Sequence, residues 1–368
     1  MIMRIVMITT GIFFLLFLYP DSGRASVSIS ANNAILMDEL TGRVLYEKNA
    51  HDQRPIASIT KIMTAIIAIE QGDLKDPVKI SERAVKTEGS SIYLKAGQTM
   101  SLEELLYGLM LRSGNDAAIA IAEHIGGSVE GFVLLMNNKA RQLGMNHTNF
   151  KNPHGLYEED HYSTAYDMAL LTRYAMQDKT YKMITKTSFY KPISLTYGWK
   201  NKHRLINGMY RYSTGGKTGY TRNSGRTLVT SATKNDLDLI VVTLNAPSDW
   251  NDHITLFEWG FNNFRLEKLI EKGKTIYPIK DFDDFLEGHI YEDVLFPIHI
   301  QEINKLKKHS YILQKNKNNE SIIGKTVITL DGIPIANVFI YDTPIEETSI
   351  VKYIYKNMLK ISGIHKNG

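Results

Sequence analysis

Apolar residues recur with a helical period from residue 58 to about residue 175, and from about Gly216 the period shortens to that of strands. Ahead of both, "NAILMDELTGRVLYEKN" (33–49) holds two short apolar runs around a Thr-Gly turn and predicts a β-hairpin. In "SITKIMTAIIAIEQG", Ile59, Ile62, Met63, Ile66 and Ile67 form one stripe, Ala65, Ala68 and Ile69 fill much of the other side, and Gly72 supplies the stop. That helix, 58–71, is apolar nearly all round and is expected to be buried. A second helix opens at "SLEE", where Ser101 and Glu104 form a capping box, and runs to about Arg112. "SGN" then interrupts the pattern. "DAAIAIAEHIGG" and "SVEGFVLLMNNKARQLG" predict two further helices, and a polar loop from Phe150 feeds another that ends near Ala175. "KTGYT", "GRTLVTSAT" and "LDLIVVTLNA" predict strands, with "KNDLD" as the turn between the last two and "ITLFEWGFNNF" as a closing helix. Helices beside a meander of antiparallel strands predict an α/β (α+β) domain with helices packed on a sheet.

Beyond about Arg265 the chain turns to charged segments between short strands such as "TIYPI". "GKTVITLDGIPIANVFIYD" is the clearest of these, a hairpin around Asp331-Gly332. Residues 274–343 therefore predict a small all-β module, with "KLKKHSYILQKNKNNES" (305–321) as an exposed, partly mobile loop. At the N-terminus the apolar run from Ile5 to Tyr19 follows Arg4 and precedes small and polar residues. It is short for a membrane span and has the length of a signal-peptide core, cleaved after Ala25; the alternative is an uncleaved anchor. At the other end "EETSIVKYIYKNMLKIS" (346–362) aligns Ile350, Ile354, Met358 and Ile361 opposite Lys352, Lys356 and Lys360. Such a basic amphipathic helix suits a membrane surface, or else packs on its own domain. The chain is thus divided into 1–25 signal peptide, 26–265 catalytic domain, 266–343 β-rich domain and 344–368 membrane-anchoring helix. Export is expected, to the outer face of the cell membrane or the wall. A net charge of +4 is no nucleic-acid footprint, and the absence of cysteine excludes disulfides. The histidines lack ligand-like spacing, so neither metal nor cofactor is expected.

"GGKTG" (215–219) resembles a phosphate loop only at first sight. The glycine five positions before Gly216 is missing, where Arg211 stands, and a strand pattern follows Lys217 in place of a helix. Gly216 and Gly219 instead clear space along a strand, and Lys217 with Thr218 offers a charge and a hydroxyl to an anion such as a carboxylate. Within the apolar helix, Lys61 stands one turn after Ser58, on the same face. Burial and a nearby Lys217 would lower the amine's proton affinity, so that it can take the Ser58 proton and create a nucleophile. Helix-start N–H groups would then face the oxyanion. S-x-x-K recurs at 188, 231 and 349, where a loop, a strand-turn position and a surface helix explain it. The spacing alone is equally an N-cap with a snorkelling lysine, and "SGN" alone is ordinary capping chemistry. "SITK" at 58, "SGN" at 113 and "KTG" at 217 in that order form the combined signature of class A β-lactamases and penicillin-binding proteins.

With "IASITKIMTA", "LMLRSGNDAAIAIAEHIGGS", "NPHGL", "STAYDMA" and "GGKTGYT", the chain resembles the low-molecular-mass penicillin-binding proteins that act as D-alanyl-D-alanine carboxypeptidases. The resemblance covers essentially the whole mature chain and is closest to sporulation-associated members of endospore formers. It implies a β-lactamase/transpeptidase-like fold and a peptidoglycan pentapeptide as substrate. Ser58 would attack the penultimate D-alanine carbonyl with Lys61 as general base. Ser113 and Asn115 would pass a proton to the leaving amine and hold the peptide. Lys217 and Thr218 would bind the terminal carboxylate, and Gly219 and Tyr220 would line the strand, with the N–H groups of Ser58 and Tyr220 as oxyanion hole. β-Lactam antibiotics would acylate Ser58. Some members place an arginine after the next strand; "NAPSDWNDH" has none, leaving Arg226 or His253 as substitutes, either of which is otherwise a surface or packing residue. Three alternatives share the motifs: a β-lactamase, for which Glu158 or Glu159 would have to deacylate, an endopeptidase, and a non-catalytic penicillin sensor.

Overall fold

The computed structural model describes residues 27–278, 285–313 and 322–343, so the predicted signal peptide and C-terminal helix lie outside the described residues. Strands β1 (Asn33–Asp38) and β2 (Val44–Lys48) form the expected hairpin. Two small pairings follow, β3 (Pro77–Lys79) with β4 (Thr99–Ser101) and β5 (Phe189–Tyr190) with β6 (Trp199–Lys200). The main sheet is completed by β7 (Ser213–Thr221), β8 (Gly225–Lys234) and β9 (Leu237–Leu244), antiparallel in the order β2-β1-β9-β8-β7. Asn235 and Asp236, both at positive φ, turn β8 into β9, as a two-residue hairpin loop requires.

The uninterrupted apolar run of β9 has a structural cause: both faces of the sheet are covered. Ile35, Met37, Val229, Ile240 and Val242 point into a large core. That core is filled by α1 (Lys61–Gln71), α2 (Glu82–Val85), α3 (Leu102–Tyr107), α4 (Asn115–Gly126), α5 (Val129–Gln142), α6 (Ala165–Ala175) and α7 (Lys179–Lys186). The alternate residues Ala34, Leu36, Leu239 and Val241 face Leu256 and Phe257 of α8 (Asp249–Asn263). The capping box predicted at Ser101 and Glu104 starts α3.

Beyond α8 the chain is all β. Strand β10 (Phe264–Ile270) pairs with β13 (Val294–His299). A second five-stranded sheet runs β11-β12-β16-β15-β14, from β11 (Gly273–Pro278), β12 (Phe285–Ile290), β14 (Leu306–Ile312), β15 (Ile322–Leu330) and β16 (Ile333–Tyr341). Asp331 and Gly332, at positive φ, make the predicted turn. Leu269, Ile290, Phe296, Ile298, Ile328 and Val338 form its separate core. The expected loop at 305–321 is corrected here: Leu306–Ile312 is an edge strand, hydrogen-bonded along β15. Its residues are mostly exposed and polar, because an edge strand is held through its backbone and protected by its lysines. Arg43, in the β1–β2 turn, joins the two regions: it bonds the Pro297 carbonyl, pairs with Glu302 at 2.6 Å and lies over the rings of Phe264 and Phe296.

Candidate active site

Ser58 lies in a short 3-10 turn, Ala57–Thr60, that leads into α1, so the α-helix begins at Lys61 rather than at the serine. Ala57 is held at φ +50°, a cost of about 1–3 kcal/mol that the surroundings must enforce. Two glycines enforce it by close approach. A methyl group on Gly155 would meet the Ala57 carbonyl, and one on Gly219 of β7 would stand 2.9 Å from the Ser58 nitrogen and 2.4 Å from Thr227 Oγ1. Thr227 in turn donates to the Ile56 carbonyl at 2.9 Å. The serine-bearing turn is thereby pressed onto the edge of the sheet.

Lys61 is fully buried, and its Nζ lies 3.0 Å from Ser58 Oγ, 2.7 Å from Asn115 Oδ1 and 2.6 Å from the His154 carbonyl. The last two partners are pure acceptors. Asn115 is oriented by its own amide, which donates to the Glu88 carbonyl at 2.6 Å. Burial, then the charge of Lys217, then that of Lys202, hold the Lys61 amine well below its ordinary pKa, with Asp116 opposing them. A neutral amine has two N–H bonds and one lone pair. A neutral Lys61 would give its two N–H bonds to Asn115 and His154 and keep its lone pair for the Ser58 hydroxyl.

Ser113 ends a π-type turn, Gly108–Arg112, in the left-handed conformation, φ +64°. Gly114 is the N-cap residue of α4, so neither Ser113 nor Asn115 is the N-cap of that helix. Instead Ser113 Oγ accepts from Lys217 Nζ at 3.1 Å. Lys217 is also buried, donates to the Thr218 carbonyl at 2.8 Å, and is pushed down to about 7 by burial and by Lys202. The structure therefore brings together Ser58, Lys61 and Asn115 as one hydrogen-bonded group and Ser113 and Lys217 as a second, with the two lysines repelling each other's charge.

Strand β7 is a sheet edge, and its register decides what that edge offers. The N–H and C=O of Gly216 face outward, where both bond the Thr185 hydroxyl of α7, at 2.8 and 2.9 Å. Hydrogen-bonding direction alternates along a strand, so Thr218 and Tyr220 turn their backbone groups to the same open edge. Gly219 lies between them against Ser58, and the Tyr220 side chain is 66% exposed. A substrate backbone can therefore be laid along Thr218–Tyr220, next to the turn that carries Ser58.

The remaining sequence candidates are engaged elsewhere. Arg226 pairs with Asp249 at 3.0 Å and lies over Trp250, while buried His253 bonds Thr230 and Thr243. Glu158 accepts from Asn152 at 2.8 Å, and Glu159 is exposed. Of the other S-x-x-K matches, Ser231 and Lys234 lie in β8, where Lys234 pairs with Glu258. Ser188 lies between α7 and β5, and Ser349 is outside the described residues. Two contributors were missed. The "NPHGL" loop supplies the His154 carbonyl, fixed by Asn152 and by Thr64, which donates to the Pro153 carbonyl at 2.6 Å. A backbone acceptor carries no residue-type signal. Lys202, bonded to Ser90 Oγ at 3.2 Å, acts on both catalytic-site lysines, and nothing in its sequence neighbourhood indicates this.

A family profile described as D-alanyl-D-alanine carboxypeptidase matches residues 21–248. The D-alanyl-D-alanine carboxypeptidase DacF of Bacillus subtilis is 38% identical over 279 residues, 72% of this chain and 71% of that protein. DacA of Haemophilus influenzae is 33% identical over 335 residues, 84% of this chain and 83% of the relative. Among solved structures, penicillin binding protein 5 from Haemophilus influenzae superposes with a TM-score of 0.73 at 30% identity, covering 87% of this chain and 98% of the other.

Proposed function

The chain belongs to the D-alanyl-D-alanine carboxypeptidase family of serine peptidases, a low-molecular-mass penicillin-binding protein, and on that premise we propose how its own residues divide the reaction. Ser58 Oγ attacks the carbonyl carbon of the penultimate D-alanine while its proton passes to the Lys61 lone pair. The negative charge that develops on the carbonyl oxygen is met by the amides of Ser58 and Tyr220. Collapse breaks the peptide bond, and Ser113, in contact with Lys217, relays to the departing D-alanine nitrogen the proton that Lys61 took from Ser58. Asn115 holds the peptide, and Lys217 with Thr218 binds the terminal carboxylate along the edge at Gly219. Water then attacks the ester as the again neutral Lys61 takes its proton and passes it to Ser58 Oγ when the ester bond breaks. Penicillins would acylate the same oxygen.

The observation that carries this reading is the Lys61 amine, 3.0 Å from Ser58 Oγ with Asn115 and His154 placed to take its N–H bonds. Mass spectrometry of diacetyl-Lys-D-Ala-D-Ala incubated with the protein tests it. Loss of one alanine is expected, and Ser58→Ala abolishes it; an equal rate in that variant would overturn the assignment. A β-lactamase reading is disfavoured because neither Glu158, exposed and bonded to Asn152, nor the exposed Glu159 contacts Ser58 or Lys61. Rapid, continuous penicillin hydrolysis would reverse that preference. Residues 26–265 would form the catalytic unit and 266–343 a spacer. The N-terminal signal would deliver them to the extracytoplasmic side, and the basic helix at 344–368 would attach them to the membrane. Truncation after Thr343 should release a signal-cleaved protein from the membrane fraction. The likeness to DacF supports a sporulation-associated role.

A further inference from the structure

The segment from Glu88 to Leu94 packs beside the Ser113–Asn115 turn, where the Ile92 side chain lies against Gly114. The Glu88 and Ser90 carbonyls accept from the side-chain and backbone amides of Asn115, each at 2.6 Å, and Ser90 Oγ accepts from Lys202. Beyond it, the buried carboxylate of Asp116 gathers three donors from this segment, Ser91 Oγ at 2.6 Å, the Ile92 nitrogen at 3.0 Å and the Leu94 nitrogen at 3.2 Å, besides the Ala117 nitrogen at 2.9 Å. Ile92 and Leu94 are buried. Tyr93, between them, is 81% exposed and sits at φ +62°, in the left-handed region. Its nitrogen is tied to Ser91 Oγ at 2.7 Å, and Tyr197 Oη reaches the Ile92 carbonyl at 3.4 Å.

A bulky aromatic residue at positive φ is costly, and glycine or asparagine would fit the turn better. Nothing in the fold repays the tyrosine, because its ring is almost wholly in water. The Asp116 clamp fixes the backbone on either side of Tyr93 while leaving the ring exposed, so the position from which the ring projects is set before a ligand arrives.

We propose that Tyr93 is a docking ring for the stem peptide upstream of its terminal D-alanyl pair, an inference that rests on the carboxypeptidase reading. Tyr93 stands three positions along the chain from Ser90, which bonds Asn115, so it lies within about 11 Å of Ser90, a span that the three residues preceding that pair can cover. The dipeptide is held at β7; the ring holds what trails from it and so distinguishes a full stem from a short mimic.

Three substrates test this with the full-length protein: diacetyl-Lys-D-Ala-D-Ala, the free stem pentapeptide, and the disaccharide-linked pentapeptide. Tyr93→Ala is expected to raise KM for both pentapeptides by about 5- to 10-fold, the size of one modest aromatic contact. The kcat, tripeptide turnover and penicillin acylation should stay within about twofold. Tyr93→Phe should keep the wild-type KM, and Tyr93→Gly should share the KM defect while melting higher. An equal defect on the tripeptide, no defect on any substrate, or a defect confined to the disaccharide-linked form would each overturn the proposal. Failure of the wild type to cleave any of the three would instead remove the carboxypeptidase reading beneath it.

Discussion

The two sheets of this protein spend their interiors differently. Under the first lie Lys61, Lys217, Asn115, Asp116, Ser113 and four buried histidines, whereas among the described residues the region beyond Phe264 buries only Thr326 and Thr329 of its polar side chains. Polar burial costs free energy wherever it occurs, and two sequestered amines cost more than hydroxyls. The first region can bear that cost because helices cover both faces of its sheet. The second has a smaller core and alternates conventionally. What the contrast teaches is that instability in the first region is local and chemical, while in the second it is a matter of apolar packing.

Substitutions can break that contrast or sharpen it. The largest effect is expected at Ser58→Ala, which should lower acylation by labelled penicillin by on the order of 10⁴-fold or more, with stability unchanged within about 0.5 kcal/mol. Next comes Lys61→Met, with a loss on the order of 10³-fold and a higher melting temperature at neutral pH. The sign follows from linkage: the folded amine has a depressed pKa, so the unfolded chain binds more protons and wild-type stability rises with pH. The same holds for Lys217→Met, whose stability advantage should be greatest below about 7 and vanish towards 10.5. A melting temperature that falls in either variant at neutral pH would contradict the contrast. In the wild type, kcat/KM for the tripeptide should decline by about tenfold per unit as pH rises past about 7 and Lys217 loses the charge that binds carboxylate. A second limb should mark protonation of Lys61, whose pKa is likewise lowered by burial. Smallest in activity is Ile328→Ala, expected to cost about 2–5 kcal/mol in the second sheet while penicillin acylation stays within about twofold. Differential scanning calorimetry should then resolve two transitions; a single shared one would show that Arg43 couples the regions tightly.

Much of this was legible because local rules and tertiary structure agree. The capping box at Ser101, the Asp331-Gly332 turn and the apolar stripe of α1 each specify their element within a few residues. Ser58, Lys61, Ser113 and Lys217 could be singled out because their chemistry is carried by side chains in a known order. Legibility failed where backbone does the work. Leu306–Ile312 is stabilised by pairing rather than by composition, so it looked like a loop. The His154 carbonyl is set by a loop whose shape depends on Asn152 and Thr64. Tyr93 is unremarkable as a letter and unusual only once its φ and exposure are known.

The open edge at Thr218–Tyr220 leaves the protein with a standing vulnerability. Unsatisfied strand edges are usually blunted, because any extended chain can add to them and seed aggregation. Here Thr185 closes off Gly216 and the Lys217 amine engages the Thr218 carbonyl, and further shielding would starve the enzyme. Crowded or overproduced, such a molecule is open to invasion by its own misfolded copies at the very place where it works, so storage with an occupying β-lactam should suppress precipitation.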